Sequence, residues 1–421
     1  MALFRILHCA DIHLDSPLRG LEADPDAPVE RIRLATRESL SNLVDLAVAE
    51  SVSLVLIAGD LYDGEWPDWR TGQFLLRQIE RLTRAGIRVV AIRGNHDAES
   101  IITRRLRWPE GATLLRADYA ETVVFDDLGV AVHGRSFATR EVLENLAATY
   151  PASLSGYLNI GLLHTAAEGR AGHGNYAPCD VAQLRNHGYD YWALGHVHAR
   201  EVLSQEPWVV FPGNIQGRDI GETGDKGATL ITVNDSAIIA VEHRVLDVVR
   251  WTKINVDLTG AEDEDTALSR ARDAFTAALA AAEGRLLAAR VFLLGACAAH
   301  AALSRSVSDT REKLKGEALA CGGADRLWLE HVVIATRPAL DLAALRERTD
   351  RVGLLVGEIE SAAAADVGAS MRDWASGLLE RAGGLRAALG PGHAAVQAAE
   401  GNISPELMQR AKAMLLARLA S

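Results

Sequence analysis

The sequence predicts an α/β fold for residues 1–250, a small α+β domain over 251–338 and a helical region over 339–421. Three observations carry this. Short β-branched runs recur in the first part and end in Gly, Asp, Asn or His, with helical stretches between them. A strand–helix–strand–helix–strand alternation follows from Trp251. After Arg337-Pro338 the composition shifts to Ala, Leu, Glu and Arg, with glycine only as punctuation.

The predicted strands in the first part are Phe4 to Ala10, Val52 to Ala58, Val89 to Ile92, Asn159 to Leu163 and Tyr191 to Leu194. Each runs into a reactive residue: Asp11, Gly59-Asp60, Gly94-Asn95-His96, His164 and Gly195-His196. Clefts in α/β sheets lie beyond the carboxyl ends of strands, so the repetition predicts one shared site. In the second part, strands are expected at Trp251 to Leu258, Leu286 to Leu294 and Leu327 to Ala335, and helices at Asp263 to Ala282 and Asp309 to Ala320. The last region reads as two or three helices, divided at Gly383-Gly384 and Gly390-Pro391-Gly392.

Of the 421 residues 48% are hydrophobic, enough to bury real cores and to exclude a disordered or fibrous chain. The net charge of -12 argues against coating polyanions by bulk charge, so any grip on nucleic acid must be local or metal-assisted. Cys9, Cys179, Cys297 and Cys321 are widely spaced with no CxxC pair, which predicts neither a disulfide framework nor a thiolate zinc site. The N-terminal residues turn polar by Asp11, and the longest apolar runs fall far short of a bilayer span of roughly 20 residues. A cytoplasmic protein with no membrane partner is expected.

The chemistry concentrates in Asp11-x-His13, Gly59-Asp60, Gly94-Asn95-His96-Asp97, His164 and Gly195-His196-Val197-His198. Any one of these blocks alone reads as readily as a loop or a satisfied polar contact. Together, at successive strand ends, they offer carboxylates, an amide and imidazoles to a pair of divalent cations. Oxygen and imidazole donors without thiolate suit manganese, iron or zinc better than calcium. His196 and His198, one residue apart, share a face and can address neighbouring metals, while Asp60 has two oxygens with which to bridge them. The glycines before Asp60, Asn95 and His196 are expected to let the backbone turn sharply.

In these blocks the chain resembles the calcineurin-like metallophosphoesterase superfamily, whose signature is D-x-H, G-D, G-N-H-D/E, H and G-H-x-H. The stretches Tyr176-Ala177-Pro178-Cys179, Gly188 to His198 and Phe211 to Arg218 look like the SbcD/YhaO-type DNA repair exonucleases. The likeness implies a four-layer αββα sandwich with the α+β part as a cap that helps to select DNA. It implies that Asp11, His13, Asp60 and His198 hold one metal and that Asp60, Asn95, His164 and His196 hold the other, manganese above all. His96 would act in acid catalysis or transition-state stabilisation, with Asp97 as its orienting partner, and Asp63 would stand behind the ligands. The implied reaction is phosphodiester hydrolysis by a hydroxide that two metals activate, in a DNA exonuclease or endonuclease. A phosphatase or phosphodiesterase acting on a small molecule or phosphoprotein is the alternative. The likeness also implies an SMC-like coiled-coil ATPase partner bound through the C-terminal helices, and a nuclease homodimer. Amphipathic Leu407 to Leu419 would dock that partner or pack on the cap.

Arginine clusters between Arg70 and Arg107. Arg77, Arg81 and Arg84 share a helical face and read as solvated surface, whereas Arg104, Arg105 and Arg107 follow the Asn95 loop and are candidate phosphate contacts. Asn214, Gln216 and Arg218 lie in a Gly-flanked loop that is either the family's substrate-side loop or a plain turn. Trp66 and Trp69 would stack on bases or cover a core edge, and His8, His133, His173 and His187 fit no ligand slot.

Overall fold

The computed structural model describes residues 3–420 apart from 17–23, 25, 64–68, 99–105, 169–173, 324, 340–344, 363, 382–385, 387–388, 391–392 and 403. Arg104, Arg105, Trp66 and His173 fall outside the described residues. The chain forms two compact units, one of residues 1–254, 276–290 and 318–331, the other of 255–275, 291–317 and 332–421.

The first unit holds two six-stranded sheets. One contains β1 (Phe4–Cys9), β2 (Leu54–Ala58), β3 (Arg88–Ile92) and β4 (Ala112–Leu114), all parallel. The other contains β5 (Glu121–Phe125), β6 (Val130–Gly134), β7 (Leu158–His164), β8 (Tyr191–Gly195), β9 (Glu201–Gln205) and β10 (Trp208–Phe211), with β6, β7, β8 and β10 parallel. Antiparallel β11 (Gly227–Asn234) and β12 (Ala237–Val245) extend the first sheet beyond β1, giving the order β12-β11-β1-β2-β3-β4. The second runs β5-β6-β7-β8-β10-β9.

Strand alternation sorts the side chains into layers. Ile6, Leu54, Leu56 and Val90 pack between the sheets against Ile160, Leu162, Tyr191 and Ala193. The residues between them, Leu7, Cys9, Val55, Ile57 and Val89, face α1 (Val29–Ala49) and α2 (Arg70–Arg84). Those helices answer with Leu40, Leu43, Val44 and Ala47, and with Leu75, Ile79 and Leu82, a spacing that keeps one stripe on the sheet. β2 is buried on both faces, which is why it reads as an unbroken apolar run rather than an alternation. On the far side of the second sheet, Trp192, Leu194, Val209 and Phe211 pack with Leu184 of the short helix Val181–Asn186 and with Val142 and Tyr150. The four-layer sandwich therefore has one thick helical layer and one thin one. Because β1, β2 and β3 are parallel, as are β7 and β8, the loops that carry the motif residues emerge from like ends of their sheets.

A third sheet, in the order β13-β14-β15, comprises Val249–Asp257, Leu286–Cys297 and Leu327–Pro338. In the first unit Val249, Trp251, Leu286, Ala288 and Trp328 pack with Ile32 and Ala35 of α1. The second unit includes the helix His300–Arg305, which the sequence reading did not anticipate. Beyond β15 the described residues form four helices, Arg351–Ser361, Ala364–Arg381, Ala394–Ala399 and Pro405–Ala420, where two or three were expected. Two breaks lie away from the expected glycine sites: one follows Ser361, where Ala362 leaves helical geometry at ψ 126° inside an alanine-rich stretch with no breaker residue to signal it, and the other follows Ala399, where Gly401 takes φ 82°. Asp350 caps the first of these helices by accepting from the Val352 and Gly353 amides. Met414 and Leu419 lie on the last helix, but their side chains are outside the described set; Leu416 there packs with Leu345 and Val356. No helix among the described residues is long and apolar enough to cross a membrane.

Candidate metal centre

Four motif residues hold left-handed backbone: Asp11 at φ 50°, His13 at 44°, Asp60 at 52° and His196 at 103°. Non-glycine residues there cost of order 1–3 kcal/mol each and persist only where the surroundings over-determine them. Here the Asp11 amide donates to Gly59 O at 3.1 Å, the His13 amide to Asp60 O at 3.0 Å, and the His196 amide to both Asp11 carboxylate oxygens at 3.0 Å. Two of the three neighbouring glycines, Gly94 and Gly195, serve a different end from the sharp turns expected of them. Only Gly59 has positive φ. A Cβ on Gly195 would sit 1.9 Å from Ala58 O, and one on Gly94 2.3 Å from Asp60 Oδ1, so these two glycines let the loops approach each other.

The partners behind each imidazole settle which nitrogen carries the proton, since a carbonyl or carboxylate can only accept. His164 Nδ1 lies 2.9 Å from Ala58 O and donates to it, which leaves the Nε2 lone pair 2.9 Å from Asn95 Oδ1. His196 Nε2 donates to Gly174 O at 2.8 Å, so its Nδ1 also turns a lone pair on Asn95 Oδ1, at 3.1 Å. His13 Nδ1 donates to Asp63 Oδ1 at 3.1 Å, and at His198 Nδ1 the Glu222 Oε1 acceptor at 2.7 Å prevails over the Arg218 Nη2 donor at 3.2 Å, so this nitrogen too carries the proton. Their Nε2 atoms then face each other at 3.1 Å, lone pair to lone pair. Asp11 Oδ1 is 3.9 Å from His198 Nε2. Between the two clusters stands Asp60 Oδ2, buried and without a hydrogen bond, 3.8 Å from His13 Nε2 and 3.5 Å from His164 Nε2.

Electron pairs crowded in this way, with a carboxylate oxygen orphaned among them, cost free energy unless a cation meets them. Three sets of donor atoms fall within 4.8 Å of one another, Asp11/His13/His198, His13/Asp60/His96 and Asp60/His164/His196, so the donors fit a divalent ion in each cluster, with Asp60 reaching the first through His13. The titration directions agree. Burial, and then the charge of Asp60, push the Asp11 carboxyl well above its ordinary range, and burial with Arg218 lowers His13 to about 4.

His96 stands at the edge of the cluster with its side chain 31% exposed, the most open of these imidazoles. Its Nδ1 lies 2.5 Å from Asp63 Oδ1. Burial works against its charge, but the Asp63 hydrogen bond and the charge of Asp60 raise its pKa overall. Asp97, expected to orient it, does something else: its carboxylate accepts from the Leu61 amide at 3.0 Å and the Gly94 amide at 2.7 Å, tying the Asp60 loop to the Asn95 loop. Asp63 is the orienting partner of His96 and of His13 at once, a larger part than the sequence assigned it. Burial raises Asp63, yet hydrogen bonds from His13 and His96 outweigh that and hold it far below the usual carboxylate range.

The Gly-flanked loop after the last motif also departs from expectation. Gln216 is buried and spent on backbone, its Nε2 on Gly217 O and Val249 O and its Oε1 on the Val248 amide. Asn214 is buried as well, its Nδ2 donating to Gln216 O and Glu222 Oε2 at 2.8 Å each. Neither is placed to meet substrate. Arg218 does reach the centre, but as a brace, donating to Asp63 Oδ2 at 3.2 Å and to Glu222 Oε1 at 2.8 Å. Glu222 escaped the sequence reading altogether; the only trace of it there is the i,i+4 spacing from Arg218, a pattern too common to single it out. Arg107 is exposed, Arg81 pairs with Asp45 and Arg84 with Glu80, and Trp69 is half exposed. His8 hydrogen-bonds Tyr191 and Leu194 O inside the core, and His133 joins Thr122 to Asn159.

A family profile described as calcineurin-like phosphoesterase matches residues 4–200, and one for the middle domain of the metallophosphoesterase YhaO matches 251–337. An uncharacterized metallophosphoesterase, YhaO, of Bacillus subtilis is 39% identical over 274 residues, which cover 64% of this chain and 67% of that protein. The DNA double-strand break repair protein Mre11 of Methanopyrus kandleri is 23% identical over 301 residues, 64% of this chain and 62% of its own length. The protein of that name from Sulfurisphaera tokodaii is 26% identical over 278 residues, 61% of this chain and 64% of its own. The chain thus spans less than two thirds of the length of either Mre11 relative.

Proposed function

The chain belongs to the calcineurin-like phosphoesterase family, and from that membership and the geometry of its donors we propose that it is a metal-dependent nuclease that hydrolyses phosphodiester bonds in DNA. The observation that carries the reading is the buried, orphaned Asp60 Oδ2 between two clusters of lone pairs, with His96 open to solvent at their rim. When bound, two divalent ions would supply Lewis-acid activation of water and neutralise phosphate charge. Asp11, His13, Asp60 and His198 would hold one and Asp60, Asn95, His164 and His196 the other. The protein's own contribution is orientation. Asp63 fixes the ring of His96 through Nδ1, which leaves Nε2 to hold a proton for the leaving oxygen. Asp97 keeps the two loops in register, and Arg218 steadies both carboxylates behind the imidazoles.

DNA as substrate is supported by the Mre11 relatives, whose name places them in double-strand break repair. Manganese is the ion we expect, and an ATPase of the SMC-like class the partner. Metal analysis of the purified protein, followed by incubation with manganese and linear duplex, single-stranded DNA or a chromogenic phosphodiester, tests the reading. Two ions per chain and cleavage of DNA are expected. Turnover of the small ester alone would move the assignment to a small-molecule phosphodiesterase, and failure to take up metal would remove it.

A further inference from the structure

The two candidate cation positions are not equivalent, and the difference lies behind the imidazoles. At the first position, His13 and His198 each donate Nδ1–H to a carboxylate, Asp63 at 3.1 Å and Glu222 at 2.7 Å. At the second, His164 and His196 donate only to neutral backbone carbonyls, Ala58 O at 2.9 Å and Gly174 O at 2.8 Å. The donors differ in the same sense. Apart from the common Asp60, the first position has the carboxylate of Asp11 where the second has the uncharged amide of Asn95. Arg218 returns one positive charge to the first side by bracing Asp63 and Glu222, so Asp11, Asp63 and Glu222 against Arg218 leave it two negative charges ahead.

A carboxylate behind a ligating imidazole fixes its tautomer and orientation and makes the facing nitrogen a stronger donor, and losing such a partner costs about 10–100-fold in metal affinity. The geometry points to ordered loading: the Asp11/His13/Asp60/His198 position fills first and tightly, the Asp60/Asn95/His164/His196 position second and weakly, and Glu222 is the positioning residue that sets the gap. Glu222 Oε1 holds His198, while Oε2 is anchored by the Asn214 side-chain amide at 2.8 Å and the Arg218 backbone amide at 2.8 Å, so the carboxylate arrives preset. The inference rests on the metal-centre reading above but not on the substrate.

Calorimetric titration of metal-stripped full-length protein with manganese chloride tests it. Two binding steps are expected. His164→Ala should abolish the weak step and spare the tight one. Glu222→Ala should weaken the tight step about 10–100-fold, and Glu222→Gln, which keeps a carbonyl oxygen for His198, should recover part of that loss. Asn95→Asp, which adds a charge to the second position, should draw the two steps together. Loss of the tight step in His164→Ala, two equal sites in the unmodified protein, or an unchanged tight step in a Glu222→Ala protein with native circular dichroism would each overturn the order. If Glu222→Ala does not fold, the Asn95→Asp and His164→Ala titrations decide it. No uptake of manganese by the unmodified protein would instead sink the metal centre itself, whereas two ordered steps without DNA cleavage would sink only the nuclease reading.

Discussion

Replacing Asp63 and Asp97 separately by asparagine distinguishes what each carboxylate does. Asp63 Oδ1 accepts from His96 at 2.5 Å and from His13 at 3.1 Å, and Oδ2 accepts from Ser16 at 2.5 Å and Arg218 at 3.2 Å. An asparagine there must turn its NH2 either toward two imidazole N–H donors or toward the Arg218 guanidinium, donor against donor, with only the Ser16 hydroxyl free to reverse and accept. A hydrogen bond to a charged group contributes about 1.5–3 kcal/mol. Spent wholly on holding His96 in the transition state, that is ~10–150-fold in kcat at about 1.4 kcal/mol per decade. Asp97 is fully buried and accepts two backbone amides, so Asp97→Asn keeps one of these bonds and loses the other, whose amide then faces an NH2 donor. The cost is about 1–3 kcal/mol of stability, or roughly 2–4 °C in Tm per kcal/mol for a unit of this size. Steady-state hydrolysis of a chromogenic phosphodiester and thermal unfolding, both with manganese present, read the two effects. A kcat within twofold of the parent for Asp63→Asn, with Asp97→Asn losing turnover at unchanged Tm, would refute the assignment of Asp63 as the partner of His96.

His96→Ala should retain the full metal stoichiometry while losing about 10²–10⁴-fold in kcat; metal analysis beside the rate measurement checks it, and full turnover with both ions bound would reject the role. Gly195→Ala drives a Cβ into Ala58 O, the carbonyl that receives the His164 proton, and should cost about 1–3 kcal/mol of stability together with metal affinity. Denaturant unfolding and a manganese titration report the two losses, and an unperturbed variant would mean that the loops do not approach as described. Burial lowers His8 from 6.5 to about 3, with the Leu194 carbonyl opposing in part. The folded form therefore binds this proton less readily than the unfolded form, and stability present above pH 6.5 drains away as pH falls toward 3. A His8→Leu protein should show a shallower decline over that interval, and identical slopes would count against it.

Much of the design was legible in the sequence because its signals are local. The apolar runs at Leu54 to Ala58 and Tyr191 to Leu194 name buried parallel strands by their composition, and the polar residue that ends each run is where the chain emerges over the sheet edge. The grouping of Asp11, His13, Asp60, Asn95, His164, His196 and His198 was readable for the same reason: each occupies a strand end, and strands of one direction deliver their ends to one side.

What only the tertiary structure decided is which groups stand behind those residues. Asp97 follows His96 directly in the chain, and adjacency argued for contact, yet the turn sends its carboxylate to the amides of Leu61 and Gly94. Asp63, far away in sequence, reaches His96 because β2 and β3 are neighbours in the sheet. Glu222 and the carbonyls of Ala58 and Gly174 leave no mark in any motif, since a hydrogen-bond acceptor need only be an oxygen in the right place. A linear pattern shows which side chains are able to donate electron pairs, but the proton positions that aim those pairs are set by partners brought from other loops.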